Sequence, residues 1–326
     1  MKRLKRCAAA LAAGVVAIGT WGSAGAGEPY PSKPIRVIVP VAPGGGTDTT
    51  ARLIGQKLNE SLGQPIIVDN RPGAAGNLGV EIASKAAPDG YTLVIPITSF
   101  PASPSLYPNL PFDPVKNFAP IGLVTSAPLL LVVNPSLPAK SVKELVALAK
   151  SKPGELNYGS SGVGTTAHLG AELFNRMAGV KITGVPYKGG GPAVVDLIAG
   201  NIQLYFSTIP AAIPHTKSGR LRPIALTSLK RMPEIGDIPT VAESGLPGFE
   251  VVGWFGLFAP AGTPRPVVTK LNKEVVTILQ MSDVREKLSA HGLIPGGGSP
   301  EELGAFLRAE IKKWAAVIKE AGIKLQ

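Results

Sequence analysis

Two separated stretches of the chain repeat one device: VIVPVAPGGGTDTTARLIGQKL from Val37 to Leu58, and LNYGSSGVGTTAHLGAELF from Leu156 to Phe174. Each passes from an extended apolar segment through a glycine turn into Thr-Thr-Ala and a helical pattern. A helix start leaves its first backbone N–H groups without intrahelical partners, pointing outward where the helix dipole favours negative charge. Each stretch is therefore a candidate anion cradle. Two of them in one chain predict a small anion held between two similar lobes, gripped by neutral backbone dipoles rather than by salt bridges.

The first residues read as an address. Lys2, Arg3, Lys5 and Arg6 precede an apolar run from Cys7 to Gly19 and then Ser23-Ala24-Gly25-Ala26, the order of a cleavable secretory signal. The run is too short to span a bilayer, so cleavage after Ala26 and export of a soluble protein are expected. Cys7 is the one cysteine of the chain, so the mature protein has no disulfide, thiolate zinc site or cysteine nucleophile. Loss of the signal's four basic residues lowers the formal charge from +11 to +7. With no basic run interleaved with aromatics, this modest excess describes a solvated basic surface and excludes nucleic acid as a partner.

With 326 residues and 44% apolar content, the chain can fill two domains with proper cores. Strand-like and helical runs alternate through most of its length, which predicts an α/β fold. Ile35 to Val39 reads as a buried strand and Thr49 to Leu62 as a helix; Ile66 to Val68 and Thr92 to Ile97 follow as strands. Prolines at 101, 104, 108, 111, 114 and 120 mark residues 99–120 as an ordered loop or a series of turns. A second series then runs through strands at Leu129 to Val133, Gly184 to Tyr187, Ile202 to Phe206 and Pro223 to Thr227. Ser141 with Glu144, and Ser299 with Glu302, are capping boxes. A strand at Val251 to Ala259 and helices near Pro264 to Met281 and Glu301 to Glu320 close the chain, and the helices are expected to cover the first lobe. The division predicted is a signal over 1–26, lobe I over 27–124 and 252–326, and lobe II over 125–251. A chain that crosses between lobes twice in this way has the layout of a clamshell.

The chain is poor in the groups that catalysis needs. Its three histidines, His168, His215 and His291, lie on separate elements with no ligand spacing between them, so no metal site is expected. His168 is expected to be a packed helix residue that also lines the cleft. Neither Ser160 nor Ser161 satisfies the G-x-S-x-G nucleophile elbow. Gly162 to Ala167 matches G-x-G-x-x-A, but the acidic residue that a dinucleotide ribose requires is missing downstream, and neither turn carries the Lys-Ser or Lys-Thr of a phosphate loop. No cofactor is expected, and no enzyme. The polar groups left at the turns are Thr47, Asp48, Thr49, Ser160, Ser161, Thr165 and Thr166. Asp48 has two readings: a helix cap, or a carboxylate facing the cleft to accept from a ligand hydroxyl or ammonium.

The segments PVAPGGGTDTTARLIGQKL, VDNRPGAAGNLG, DGYTL, PSLYPNLPFDP, NYGSSGVGTTAHL, PYKGGGPA, GRLRPIALTS, PTVAESGLPGFEV and WFGLFAPAGTP resemble, in order, those of the Bug (TctC) family, the periplasmic substrate-binding proteins of tripartite tricarboxylate transporters. The resemblance spans essentially the whole mature chain. It implies a two-lobed periplasmic-binding-protein fold, each lobe a mostly parallel sheet flanked by helices. Carried onto this chain, it implies that a carboxylate is held by Val41, Ala42, Pro43, Gly44, Gly45, Gly46, Thr47 and Asp48 from one lobe and by Ser160, Ser161, Gly164, Thr165 and Thr166 from the other. Ser99, Tyr187, Lys188 and Thr208 fall where the family places further cleft residues. Val41 stands where the family often has Phe, and Ser99-Phe100-Pro101-Ala102-Ser103 replaces its usual loop, so the cleft wall differs. The resemblance implies a monomeric receptor that delivers a small carboxylate to a membrane permease. A subunit that presents the ligand to a sensor kinase is the alternative partner, and a periplasmic hydrolase using Asp48 or His168 is a third reading.

Overall fold

The computed structural model describes residues 30–44, 46–187 and 189–323. The expected signal over 1–26, and the site residues Gly45 and Lys188, lie outside the described residues.

In chain order the elements are β1 (Ile35–Val39), α1 (Gly46–Leu62), β2 (Ile66–Asn70), α2 (Asn77–Ser84), β3 (Thr92–Val94), α3 (Ser103–Leu106), β4 (Phe118–Val133), α4 (Val142–Ser151), β5 (Asn157–Ser160) and α5 (Thr166–Ala178). There follow β6 (Thr183–Pro186), α6 (Gly190–Ala199), β7 (Leu204–Thr208), α7 (Ile209–Lys217), β8 (Arg222–Leu226), β9 (Val252–Pro260), α8 (Arg265–Leu279), α9 (Ser282–Ala290), β10 (Ile294–Gly297) and α10 (Pro300–Ala321). Several starts follow from local chemistry. Ser141 accepts from the Glu144 N–H at the head of α4, and Ser299 and Glu302 form a reciprocal capping box at the head of α10. Gly179 and Gly200 close α5 and α6 in left-handed conformations that a side chain would strain.

The strands form one sheet in the order β2-β1-β3-β9-β4-β7-β5-β6, with β8 and β10 also paired to β4. Pairing is parallel at both ends, β2-β1-β3 and β7-β5-β6, and antiparallel wherever β4 or β9 takes part. The outer strands are thus parallel as the alternation predicts. The centre is antiparallel because the chain crosses it in both directions.

Strand β4 is the spine of the molecule. Its Phe118 to Pro128 portion pairs with β9, and its Leu129 to Val133 portion pairs with β7 and β8. The prolines at 120 and 128 obscure this strand in the sequence. The strand accommodates Pro120 at a register shift beside β9, as a chain lacking that N–H requires. The buried apolar residues fall into separate clusters. One gathers β1, α1, α8 and α9 around Ile54, Leu271 and Val275; another gathers β5, β7 and α5 around Tyr158, Phe174 and Phe206.

Helix α10 joins both sides rather than covering the first lobe alone. Leu303 and Leu307, in its first turns, pack with Phe100, Phe118 and Phe258. Trp314, Val317 and Ile318, in its last turns, belong to the core around Phe174 and Phe206. An Arg176–Glu320 ion pair fixes its end to α5. Burial of each such large apolar side chain contributes ~1.5–3 kcal/mol, so α10 is a substantial tie between the two sides.

Candidate functional site

Both glycine turns open on one cavity of about 700 Å³. Val41, Ala42, Gly44, Gly46, Thr47 and Thr49 line it from the β1–α1 turn; Ser161, Thr165, Thr166 and Ala167 line it from the β5–α5 turn. The turns face each other because β1 and β5 run in opposite directions, each strand pointing from its own side toward the middle of β4.

The two turns are built alike. Gly44 and Gly164 have positive φ, 97° and 78°, which glycine alone adopts without strain. In each, the glycine N–H donates to the side chain four residues on: Gly44 to Asp48 Oδ2 at 2.9 Å, and Gly164 to His168 Nδ1 at 3.1 Å. Each side chain pins the glycine in place and leaves the helix start facing the cavity.

Asp48 is buried and its carboxylate is fully engaged away from the cavity. Besides the Gly44 N–H it accepts from Arg52 Nε at 2.9 Å and Asn70 Nδ2 at 3.0 Å, and the same Asn70 amide donates to the Val41 carbonyl at 3.0 Å. Burial pushes its pKa up, but the hydrogen bonds from Arg52, Asn70 and Gly44 prevail and hold the carboxyl below its ordinary value. Neither of its two readings describes this arrangement: Asp48 lies inside α1, caps no helix N–H among the described residues and braces the turn from behind. His168 likewise does not line the cavity as expected, because its ring is turned back onto Gly164. Burial lowers its pKa, against the opposing charge of Glu172, so the imidazole is held neutral as the acceptor role requires.

The second turn has its own internal bracing. Ser160 Oγ donates to the Gly162 carbonyl at 2.9 Å and accepts from the Gly162 N–H at 3.1 Å. Thr165 Oγ1 donates to the same carbonyl at 2.8 Å and caps α5 by accepting from the His168 N–H. The first helical bond of α5 runs from the Leu169 N–H to the Thr165 carbonyl at 2.9 Å. The N–H groups of Thr166 and Ala167 therefore precede the ladder and stand at the cavity wall.

Of the expected site residues, Val41, Ala42, Gly44, Gly46, Thr47, Ser99, Ser161, Thr165, Thr166 and Thr208 line the cavity. Pro43, Asp48, Ser160, Gly164 and Tyr187 do not. Pro43 is exposed, and Gly164 packs its α-carbon toward Leu106, where a Cβ would stand 2.6 Å from Leu106 Cδ1. Tyr187 is drawn aside: its hydroxyl donates to Asp196 Oδ2 at 2.7 Å, and its N–H ties β6 to the second turn through the Ser160 carbonyl at 2.8 Å. Burial and the Asp196 hydrogen bond push that phenol up to about 12.

Other lining residues carry no motif in the sequence. Thr98 follows β3; Ala127, Pro128 and Leu129 lie at the mid-point of β4; Gly253 and Phe255 lie on one face of β9. Alternation along β9 could have flagged Phe255, since 253 and 255 share a face while Trp254 packs on Phe258 and Phe306. Phe255 also sets the approach of the first turn, because a Cβ on Gly46 would lie 3.1 Å from its ring. Tyr205 stands beside Ser161, and His291, Gly292 and Leu293 complete the wall after α9.

Among the described residues that line the cavity, none is Lys, Arg, Asp or Glu. Hydroxyls and helix starts supply the polarity, and Ile97, Leu129, Phe206, Phe255 and Leu293 supply apolar wall. Among the described residues no group of three or more His, Cys, Asp or Glu gathers as a metal site. Such a cavity can desolvate an anion against backbone dipoles without burying a counter-charge.

A two-sided α/β fold with a cavity between matched turns, lined by no Lys, Arg, Asp or Glu among the described residues, defines a solute-binding receptor. The chain belongs to the tripartite tricarboxylate transporter family receptors (TctC), whose family model matches residues 50–323. It is 40% identical over 301 residues to Protein BugT of Bordetella pertussis, covering 92% of each chain. Among solved structures it is similar to R. palustris Rpa4515 with adipate, at 41% identity and TM-score 0.78, over 91% of this chain and 100% of that one. It is also similar to MatC (Rpa3494) from Rhodopseudomonas palustris with bound malate, at 38% identity and TM-score 0.74, over 89% and 100% of the two chains. The family is one of periplasmic solute-binding proteins, and its members are receptors rather than enzymes.

Proposed function

We propose that this protein is a monomeric periplasmic receptor that holds a small carboxylate between two lobes and delivers it to the permease of a tripartite tricarboxylate transporter. The observation that carries this reading is the cavity itself, lined from both sides by helix starts and hydroxyls and by no charged side chain among the described residues. The similar proteins with adipate and with malate support the ligand class.

In this reading the lobes divide within β4 and just before β9, where pairing passes from one set of strands to the other. The carboxylate lies between the starts of α1 and α5, which pairs the negative charge with two favourable dipoles, each worth ~0.3–1 kcal/mol and more where partly buried. Gly45 and Lys188 are assigned to the same site. Many weak donors together bind tightly enough to capture the ligand and release it when the lobes part.

A melting-temperature screen of mono-, di- and tricarboxylates, aromatic acids and acidic amino acids tests the proposal. A ligand present at 100 times its dissociation constant adds about 2.7 kcal/mol of stability. Stabilisation by one class of carboxylate is expected, and stabilisation only by uncharged sugars or phosphate esters would overturn it.

A further inference from the structure

The sheet order gives the cavity two unlike ends. On one side of the molecule the strands run β1-β3-β9-β4, with β10 on the far edge of β4, since β9 and β10 pair with the same stretch of that strand. The first cradle follows β1, and His291 to Leu293 precede β10 at the same edge of the sheet. Four strand spacings, on the order of 19 Å, separate them. The other side repeats the arrangement: Ser161 to Thr166 follow β5, whereas Thr208 to Pro210 follow β7, the strand next to β4. The far ends meet, because a Cβ on Gly292 would stand 3.0 Å from Pro210 Cδ and 3.3 Å from Ile209 Cβ.

The near end therefore holds both helix starts and their hydroxyls. The far end holds Leu293, Ile209 and Pro210, with the Thr208 hydroxyl and one imidazole, His291. Among the described lining residues, His291 is the only one with a basic side chain. Its backbone is an ordinary one, φ −94°, and its side chain is exposed, so packing gives no reason for an imidazole there.

We propose that His291 is a specificity-determining residue that receives the second acidic group of an extended α,ω-dicarboxylate whose first carboxylate sits in the cradles. The proposal rests on the carboxylate reading above. It goes further in fixing the ligand's length and its second charge: a short diacid held in the cradles does not reach His291, and a monoacid of full length reaches it with a methyl group.

Calorimetric titration of the wild type with the diacids succinate, adipate and suberate, and with the matched monoacids butanoate, hexanoate and octanoate, tests this. A longer diacid is expected to bind about tenfold more tightly than its monoacid, the size of one charge-assisted hydrogen bond. His291→Leu should reduce that preference to about twofold, and His291→Gln should fall between. An undiminished preference in His291→Leu overturns the proposal. So does a wild type that takes succinate as tightly as the longer diacids, although that result upholds the carboxylate receptor. Binding of no carboxylate at all overturns both.

Discussion

Thr166 Oγ1 donates a hydrogen bond to Thr98 Oγ1 at 2.8 Å, joining the first residue of α5 to the loop after β3 across the cavity. The two residues come from opposite sides of β4 and both line the site. Leu106 against Gly164, and Pro210 against Gly292, make further contacts between the same two sides. The cavity walls are thus in mutual contact, and the hydroxyl pair lies where a ligand would join it.

Thr98→Val removes this bond while keeping the side-chain shape. A net hydrogen bond contributes about 0.5–1.5 kcal/mol, so ligand affinity should fall about three- to tenfold, chiefly through faster dissociation. Stopped-flow dissociation and calorimetry on Thr98→Val and Thr98→Ser check it, the serine being expected to retain most of the affinity. Equal dissociation rates in all three proteins would contradict a bridging role.

Gly164 and Gly44 separate strain from collision. Both have positive φ, but a Cβ on Gly44 meets nothing within 4 Å, whereas one on Gly164 strikes Leu106. Gly44→Ala should cost about 1 kcal/mol of stability from backbone conformation alone. Gly164→Ala should cost more and weaken binding further, and adding Leu106→Ala should relieve only the collision. Denaturant melts of the three variants test the ranking, and equal losses for Gly44→Ala and Gly164→Ala would refute it.

Asp48 gives an acid limb of known sign. Its folded pKa is held below the ordinary carboxylate value, so its contribution is present above about pH 4 and is lost as pH falls through the folded value. Asp48→Ala leaves the Gly44 N–H and the Asn70 amide short of an acceptor and should cost about 1–3 kcal/mol. Its binding loss should be uniform across ligands, because the carboxylate shapes the turn and does not face the cavity. A change of ligand preference in Asp48→Asn, measured by competition, would put the carboxylate in the site after all.

His168 titrates the other way round in charge but not in sign. Burial lowers its folded pKa, so the unfolded chain binds the proton more readily, and stability is lost as pH falls below the ordinary histidine value of about 6.5. Protonation also denies the Gly164 N–H its acceptor. Melting temperature should therefore drop in the wild type as pH falls below about 6.5, and less steeply in His168→Gln. Parallel pH profiles for the two proteins would show that this imidazole does not govern the limb.

The two cradles were legible in the sequence because a glycine turn between a strand and a helix is a local device, written in consecutive residues. What those turns require for support was not. Asn70 reaches Asp48 only through the β1–β2 pairing, although Arg52, one turn further along α1, was a local neighbour, and Leu106 meets Gly164 only when the proline-rich segment folds back. The far wall was hidden for a related reason. Phe255 and His291 come from segments that return to the first side long after its cradle, and their roles depend on strand order, which no local spacing encodes. Helix α10 was legible as an amphipathic helix with a capping box, but its two halves bury their apolar faces in different cores, a division set by where β4 crosses.

The central claim is that neutral amides and hydroxyls in two facing turns select a carboxylate for its negative charge. Calorimetric titration with the tightest acid from the melting screen, beside its primary amide of the same shape, tests this most directly. The acid should bind at least about a hundredfold more tightly than the amide, the equivalent of several helix-start and hydroxyl contacts made only to the anion. Equal affinity for the acid and the amide would contradict it.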